Sequence, residues 1–168
     1  MGFISLVALV CLSLVNPVYT QPLTDINSWT DAVITLSSDL TGAYHADKAC
    51  IIRLENGNYW EPLQFDSRTI VLKGSEGANI AEYFRNEDLT AFESSDIQVG
   101  GVLYTYEMHE VKEDGTLLVG GKLENHGAIS MQSANTVIVI AHTKEGGNPH
   151  YTNIGVEACI SVLKHYRF

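Results

Sequence analysis

Basic residues are scarce in this chain. Ten lysines and arginines stand against 20 aspartates and glutamates, for a formal net charge of -10 over 168 residues. A surface that acidic repels phosphate, which argues against DNA, RNA or anionic lipid held through the overall field. Glycine-rich phosphate loops are also missing. The string Gly74-Ser75-Glu76-Gly77 falls short of the nucleophile-elbow frame. The six histidines include no pair at i, i+4, so a zinc site is not expected. Carboxylate pairs such as Glu87-Asp88 and Glu113-Asp114 fall in predicted turns, where solvation accounts for them. An enzyme is therefore not expected, nor a cofactor or metal. No Asn-x-Ser/Thr sequon occurs, and there is no repeat or low-complexity tract. Composition excludes collagen, a long coiled coil and a mostly disordered chain. With 45% hydrophobic residues, there is enough apolar material for one packed domain and too little length for two.

Charge is absent altogether from Met1 to Thr20. Phe3 to Val15 is an apolar run, too short to span a bilayer. Asn16-Pro17 breaks it, and Val18-Tyr19-Thr20 puts small or β-branched residues at -3 and -1 of a cut before Gln21. This is the shape of a secretory signal peptide, although only the α-amino group supplies positive charge in front of it. The expectation is a cleaved leader over 1–20 and a single secreted, soluble domain over 21–168. No later apolar run approaches 18 residues, so no membrane span is expected. Cys11 leaves with the leader. Cys50 and Cys159 remain, and an oxidising compartment allows a Cys50–Cys159 disulfide. Two buried thiols are the alternative, since cysteine packs as a small hydrophobe.

Apolar residues at 29, 32, 33 and 36 have helical spacing, with Ser28 placed as N-cap. Ala49 to Leu54 reads as a strand. Asn56-Gly57 signals a hairpin whose return strand starts at Asn58-Tyr59-Trp60. Ser75 to Arg85 reads as a helix with Ile80, Tyr83 and Phe84 on one face. Strands follow at Val102 to His109, Thr116 to Gly120, Ala128 to Gln132 and Thr136 to Ala141, separated by Asp114-Gly115 and Gly127 turns. Asn153 to Tyr166 carries apolar residues at 156, 159, 160, 163 and 166, an amphipathic helix. The order helix, strand pair, helix, four strands, helix predicts an α+β domain around one antiparallel sheet. Between Glu76 and Asp114 ten acids face only Arg85 and Lys112, an acidic stretch that solvation explains or that a cationic partner would use.

Taken together, these strings resemble profilin, a family of small actin-monomer-binding proteins. The resemblance spans Ser28 to Phe168. It rests on Ser28-Trp29-Thr30-Asp31-Ala32-Val33, Ala49-Cys50-Ile51-Ile52 with Tyr59-Trp60, Ile97 to Tyr104, Asp114-Gly115, Ser133 to Val139, Lys144-Glu145-Gly146 and Leu163 to Phe168. It implies a central antiparallel sheet with the N- and C-terminal helices on one face and a further helix on the other. It also implies a groove for proline-rich peptides between the terminal helices, where Trp29, Trp60, Leu163 and Phe168 match. Aromatic rings there stack on pyrrolidine faces and donate to the free carbonyls of a polyproline II segment. Ala32 replaces a usual Tyr, and Val162 a usual His or Tyr. Each lost polar ring should weaken the carbonyl contacts by about 1 kcal/mol or more.

The actin face implied by the resemblance takes in Lys122, His150, in a loop, and Glu157. Glu124 stands near a usual Lys, Ser130-Met131-Gln132 replaces a more basic stretch, and Ile154 holds a position often taken by Lys. Phosphoinositide binding, which needs clustered Lys and Arg, is not expected. The expected function is that of a secreted profilin-like protein binding actin monomer, proline-rich segments or both. The rival reading is an extracellular structural or matrix protein whose acidic surface meets cations or basic partners.

Overall fold

The computed structural model describes residues 28–60, 66–87 and 89–165. The expected leader and Phe168 lie outside the described residues.

The first helix, α1 (Trp29–Leu36), starts where its cap dictates: the Ser28 hydroxyl accepts from the Asp31 amide at 3.1 Å. Strand β1 (Ala46–Arg53) follows. Asn56-Gly57 turns the chain as expected, but the return is a single bridge, Ile52 to Tyr59, and not a strand. The tightness of the turn explains this. Gly57 has φ +75°, and a Cβ there would lie 2.1 Å from the backbone of Gly77 at the start of the next helix. The chain is pinned against that helix and leaves the sheet. Helix α2 (Glu76–Asn86) and a short α3 (Leu89–Ser95) come next. Then β2 (Ile97–Val99), β3 (Val102–Val111), β4 (Leu117–Leu123), β5 (Gly127–Ser133) and β6 (Val137–Thr143) run as a meander. Helix α4 (Pro149–His165) closes the described chain. It starts at Pro149 and not at Asn153, because proline suits the first helical position and the Asn148 side chain accepts from the His150 amide at 3.0 Å.

The six strands form one antiparallel sheet in the order β1-β6-β5-β4-β3-β2. Strand β6, the unbroken apolar run, lies inside it, as a doubly buried strand should. The sheet has a core on each face. On one, Val33 and Ile34 of α1 and Val156, Cys159, Ile160 and Leu163 of α4 pack on Ala49, Ile51, Val137 and Val139. On the other, Ile80 and Phe84 of α2 and Phe92 of α3 pack on Cys50, Ile52, Ile138, Ile140 and Met131. Alternation along β1 and β6 sends successive side chains to opposite cores. The terminal helices therefore share one face, and α2 and α3 cover the other, as the resemblance implied.

The disulfide is not formed. Cys50 and Cys159 are buried in the two different cores, with the sheet between them, so neither reaches the other. Burial pushes the Cys50 thiol far above its ordinary value, so it packs as an inert apolar group.

Candidate binding surfaces

Helices α1 and α4 approach closely because Gly155 has no side chain. A Cβ there would lie 2.1 Å from Ser37 Oγ and 2.9 Å from the Val33 carbonyl oxygen. The Ser37 hydroxyl instead donates to that carbonyl at 2.7 Å. This contact sets the seam on which the first surface is built. Trp29, in the first turn of α1, and Trp60, past the Gly57 turn, meet edge to face with ring centroids 6.1 Å apart at 70°. The Trp60 amide donates to the Ile51 carbonyl at 2.9 Å, which fixes its backbone against β1. Both rings are half-buried and pack on the core that contains Leu163. Leu163 itself is fully buried, so it supports the two rings and offers a ligand no surface. Ala32 and Val162 are each only 5% exposed. These small apolar side chains close the helix seam and present no polar tip. Arg68 reaches Asp31 at 2.5 Å, tying the 66–70 segment to α1.

The second surface lies where β3 and β4 extend past α4. Lys122 is exposed on β4, in register with Thr105 of β3 and Ala128 of β5. It shares a concavity of about 390 Å³ with Lys144, Glu145 and Pro149 at the start of α4. His150 is exposed there, its ring edge-on to Tyr151 at 5.5 Å. It belongs to the first turn of α4 and not to a loop, for the reason that moved the helix start. The structure thus brings Lys122 and the His150 turn to one end of the molecule. Glu157 lies further along α4 and is engaged: its carboxylate pairs with Lys112, which also holds Glu110 at 2.7 Å. Those hydrogen bonds, Glu110 first and Glu157 second, hold the Lys112 ammonium above its ordinary pKa. A second ion pair, Lys164 to Asp114 at 2.7 Å, fastens the other end of α4 to the β3–β4 turn. Lys164 and then Thr116 hold the Asp114 carboxyl well below the usual range.

Two features of this face were not visible in the sequence. Ser130 and Gln132, which replace a more basic stretch, are only 2% and 3% exposed. Ser130 donates to Asn153 Oδ1 of α4 at 2.6 Å, and Gln132 to the Thr116 hydroxyl at 3.0 Å. Ser130 binds the helix to the sheet, Gln132 ties β5 to the end of the β3–β4 turn, and neither forms surface. Conversely, Met108 and Ile154 are 37% exposed and supply apolar area. Glu157, which pairs with Lys112, and Asp114, which pairs with Lys164, are far from those lysines in the chain, so no local spacing announces them. Among the described residues no group of His, Cys, Asp and Glu could hold a metal, and no helix is long and apolar enough to cross a membrane.

Comparison with known proteins agrees with this architecture. A family model described as Profilin matches residues 27–168. The profilin of Strongylocentrotus purpuratus is 39% identical over 140 residues, covering 82% of this chain and 95% of the relative. Among solved structures, profilin II of Acanthamoeba castellanii superposes with a TM-score of 0.64 at 23% identity, over 84% of this chain and all of that one. Mouse profilin IIa, solved in complex with a double repeat from the FH1 domain of mDia1, superposes with a TM-score of 0.50 at 17% identity, over 73% of this chain and 86% of that one. The chain belongs to the profilin family, non-enzymatic proteins that bind actin and proline-rich peptides.

Proposed function

We propose that this chain is an exported profilin that binds proline-rich segments on the Trp29–Trp60 pair and actin monomer on the β3–β4 and α4 face. The observation that carries the reading is the tryptophan pair. Two half-exposed indoles meet edge to face on a rigid apolar base. Rings so placed offer flat faces to pyrrolidines at small entropic cost, since their supports are already packed. Ala32 and Val162 add no donors, so affinity rests on stacking more than on hydrogen bonds. The second face offers Lys122, His150, Met108 and Ile154 beside an engaged Glu157. Export is supported by the uncharged apolar start of the chain and by the family match beginning only at residue 27.

Three measurements test this. Decaproline should quench or blue-shift the tryptophan emission in a saturable way. The protein should slow polymerisation of actin in a sedimentation assay. N-terminal sequencing of the exported form should start at Gln21. An unchanged emission at millimolar decaproline, together with unaltered actin polymerisation, would remove both binding roles. A retained Met1 on material confined to the cytosol would remove export.

A further inference from the structure

A cleft opens on the sheet face opposite the tryptophan pair, between the 69–73 segment, the β2–β3 turn and the end of β6. It measures about 300 Å³, at the small end of ligand pockets. Its floor is apolar and buried: Ile70, Val99 and Ile129 are each no more than 5% exposed. Lys48, Lys73 and His126 stand at its rim, and all three are exposed.

The charge of this cleft runs against that of the whole molecule. Arg68, Lys112 and Lys164 all have carboxylate partners. Lys48 and Lys73 have none among the described residues. The Asp47 carboxylate, next to Lys48 in the chain, is already engaged: its Oδ1 lies 2.6 Å from His142 Nδ1. His142 Nε2 donates to the His126 carbonyl at 2.7 Å. With both ring nitrogens directed at acceptors, His142 and Asp47 form a closed ion pair, with the buried Tyr104 beside them. Among the described residues neither rim ammonium has a carboxylate at ion-pair distance, and Asp47 acts on Lys48 only from further off. The Lys73 Nζ lies over Gly101, where a Cβ would come within 2.6 Å. The turn beneath it is gripped in turn by the Glu76 carboxylate, which accepts from the Gly100 and Gly101 amides at 2.7 Å.

We propose that this cleft binds a small organic anion, a single ring or short branched body carrying a carboxylate or phosphate head between Lys48 and Lys73. The apolar floor takes the body, and the low-dielectric wall strengthens the pull of the ammoniums on the head. A bare inorganic anion loses the floor, and a neutral analogue loses the charges. The test is two-dimensional amide NMR on the full chain with benzoate, phenyl phosphate, inorganic phosphate and benzyl alcohol as probes. Benzoate or phenyl phosphate should shift the Gly100, Gly101, Tyr104, His126 and His142 amides saturably and leave the indole signals of Trp29 and Trp60 in place. Whichever binds more tightly identifies the head as carboxylate or phosphate. Lys48→Ala with Lys73→Ala should weaken binding about tenfold or more, and the double Arg variant should retain it. Absence of saturable shifts, equal affinity for benzyl alcohol, or undiminished binding by the double Ala variant would overturn the proposal.

Discussion

Replacing Glu76 by Gln tests how the β2–β3 turn is held. The Glu76 side chain is only 5% exposed, and its two carboxylate oxygens accept three backbone amides. Oε2 takes Lys73 at 2.8 Å and Gly100 at 2.7 Å, and Oε1 takes Gly101 at 2.7 Å. Glutamine has the same shape, so packing is preserved and no cavity opens. Its amide carries one oxygen, however. With that oxygen in the Oε2 place, the amide NH₂ faces the Gly101 N–H, donor against donor. The reverse orientation orphans two amides. At least one charge-assisted bond disappears, at about 1.5–3 kcal/mol, and a buried N–H is left unpaired. The expected loss is about 3 kcal/mol. For a domain of this size that lowers the melting temperature by roughly 6–12 °C. Urea unfolding followed by tryptophan emission measures it, with a shifted midpoint and an unchanged slope. A loss below about 1 kcal/mol would refute the reasoning, because it would mean the three amides find other partners without strain.

Gly155→Ala should drive a methyl into Ser37 and the Val33 carbonyl, costing about 1–3 kcal/mol in denaturant unfolding and weakening decaproline binding by splaying α1 from α4. The His142–Asp47 pair should impose a pH window on stability. Burial opposes the charge on His142, but its bonds to Asp47 and to the His126 carbonyl raise its pKa above 6.5. That contribution is full below 6.5 and is lost as pH rises through the folded value. Burial likewise opposes ionisation of Asp47, but the His142 bond and charge lower its pKa below 3.8, a contribution present above 3.8 and lost as pH falls through the folded value. The pair should therefore stabilise most between 3.8 and 6.5, and His142→Gln should lower the melting temperature in that range and flatten its fall on either side. Native protein should show no mass difference between reduced and unreduced samples and no thiol alkylation until it is unfolded, because Cys50 and Cys159 are buried on opposite faces.

The sequence carried most of the fold because its periodicities are local. Ser28 caps the helix that the 29, 32, 33, 36 spacing predicts, and Thr136 to Ala141 reads as the interior strand it is. Where reading failed, a distant contact had overridden a local rule. Asn58 to Trp60 has the composition of a strand but is pulled off the sheet by the Gly57–Gly77 contact. Helix α3 is only seven residues long, too short for its spacing to be read, yet its Phe92 is held by edge contacts with Tyr83 and Phe84. The Cys50–Cys159 pairing was open on count alone, and the parity of β1 separates the two thiols, since Cys50 faces the α2 side. The binding residues were legible as types. Their state was not: Leu163 proves to be support and Glu157 proves to be engaged, both through partners far along the chain.

The central claim is that proline-rich segments and actin meet this protein on separate surfaces, and paired titrations of two variants test it most directly. Trp60→Ala should abolish the response to decaproline while leaving the effect on actin polymerisation, and Lys122→Glu should do the reverse. Both variants change exposed or half-exposed side chains, so both should fold. Parallel loss of the two activities in either variant, or a decaproline response that survives without Trp60, would contradict it.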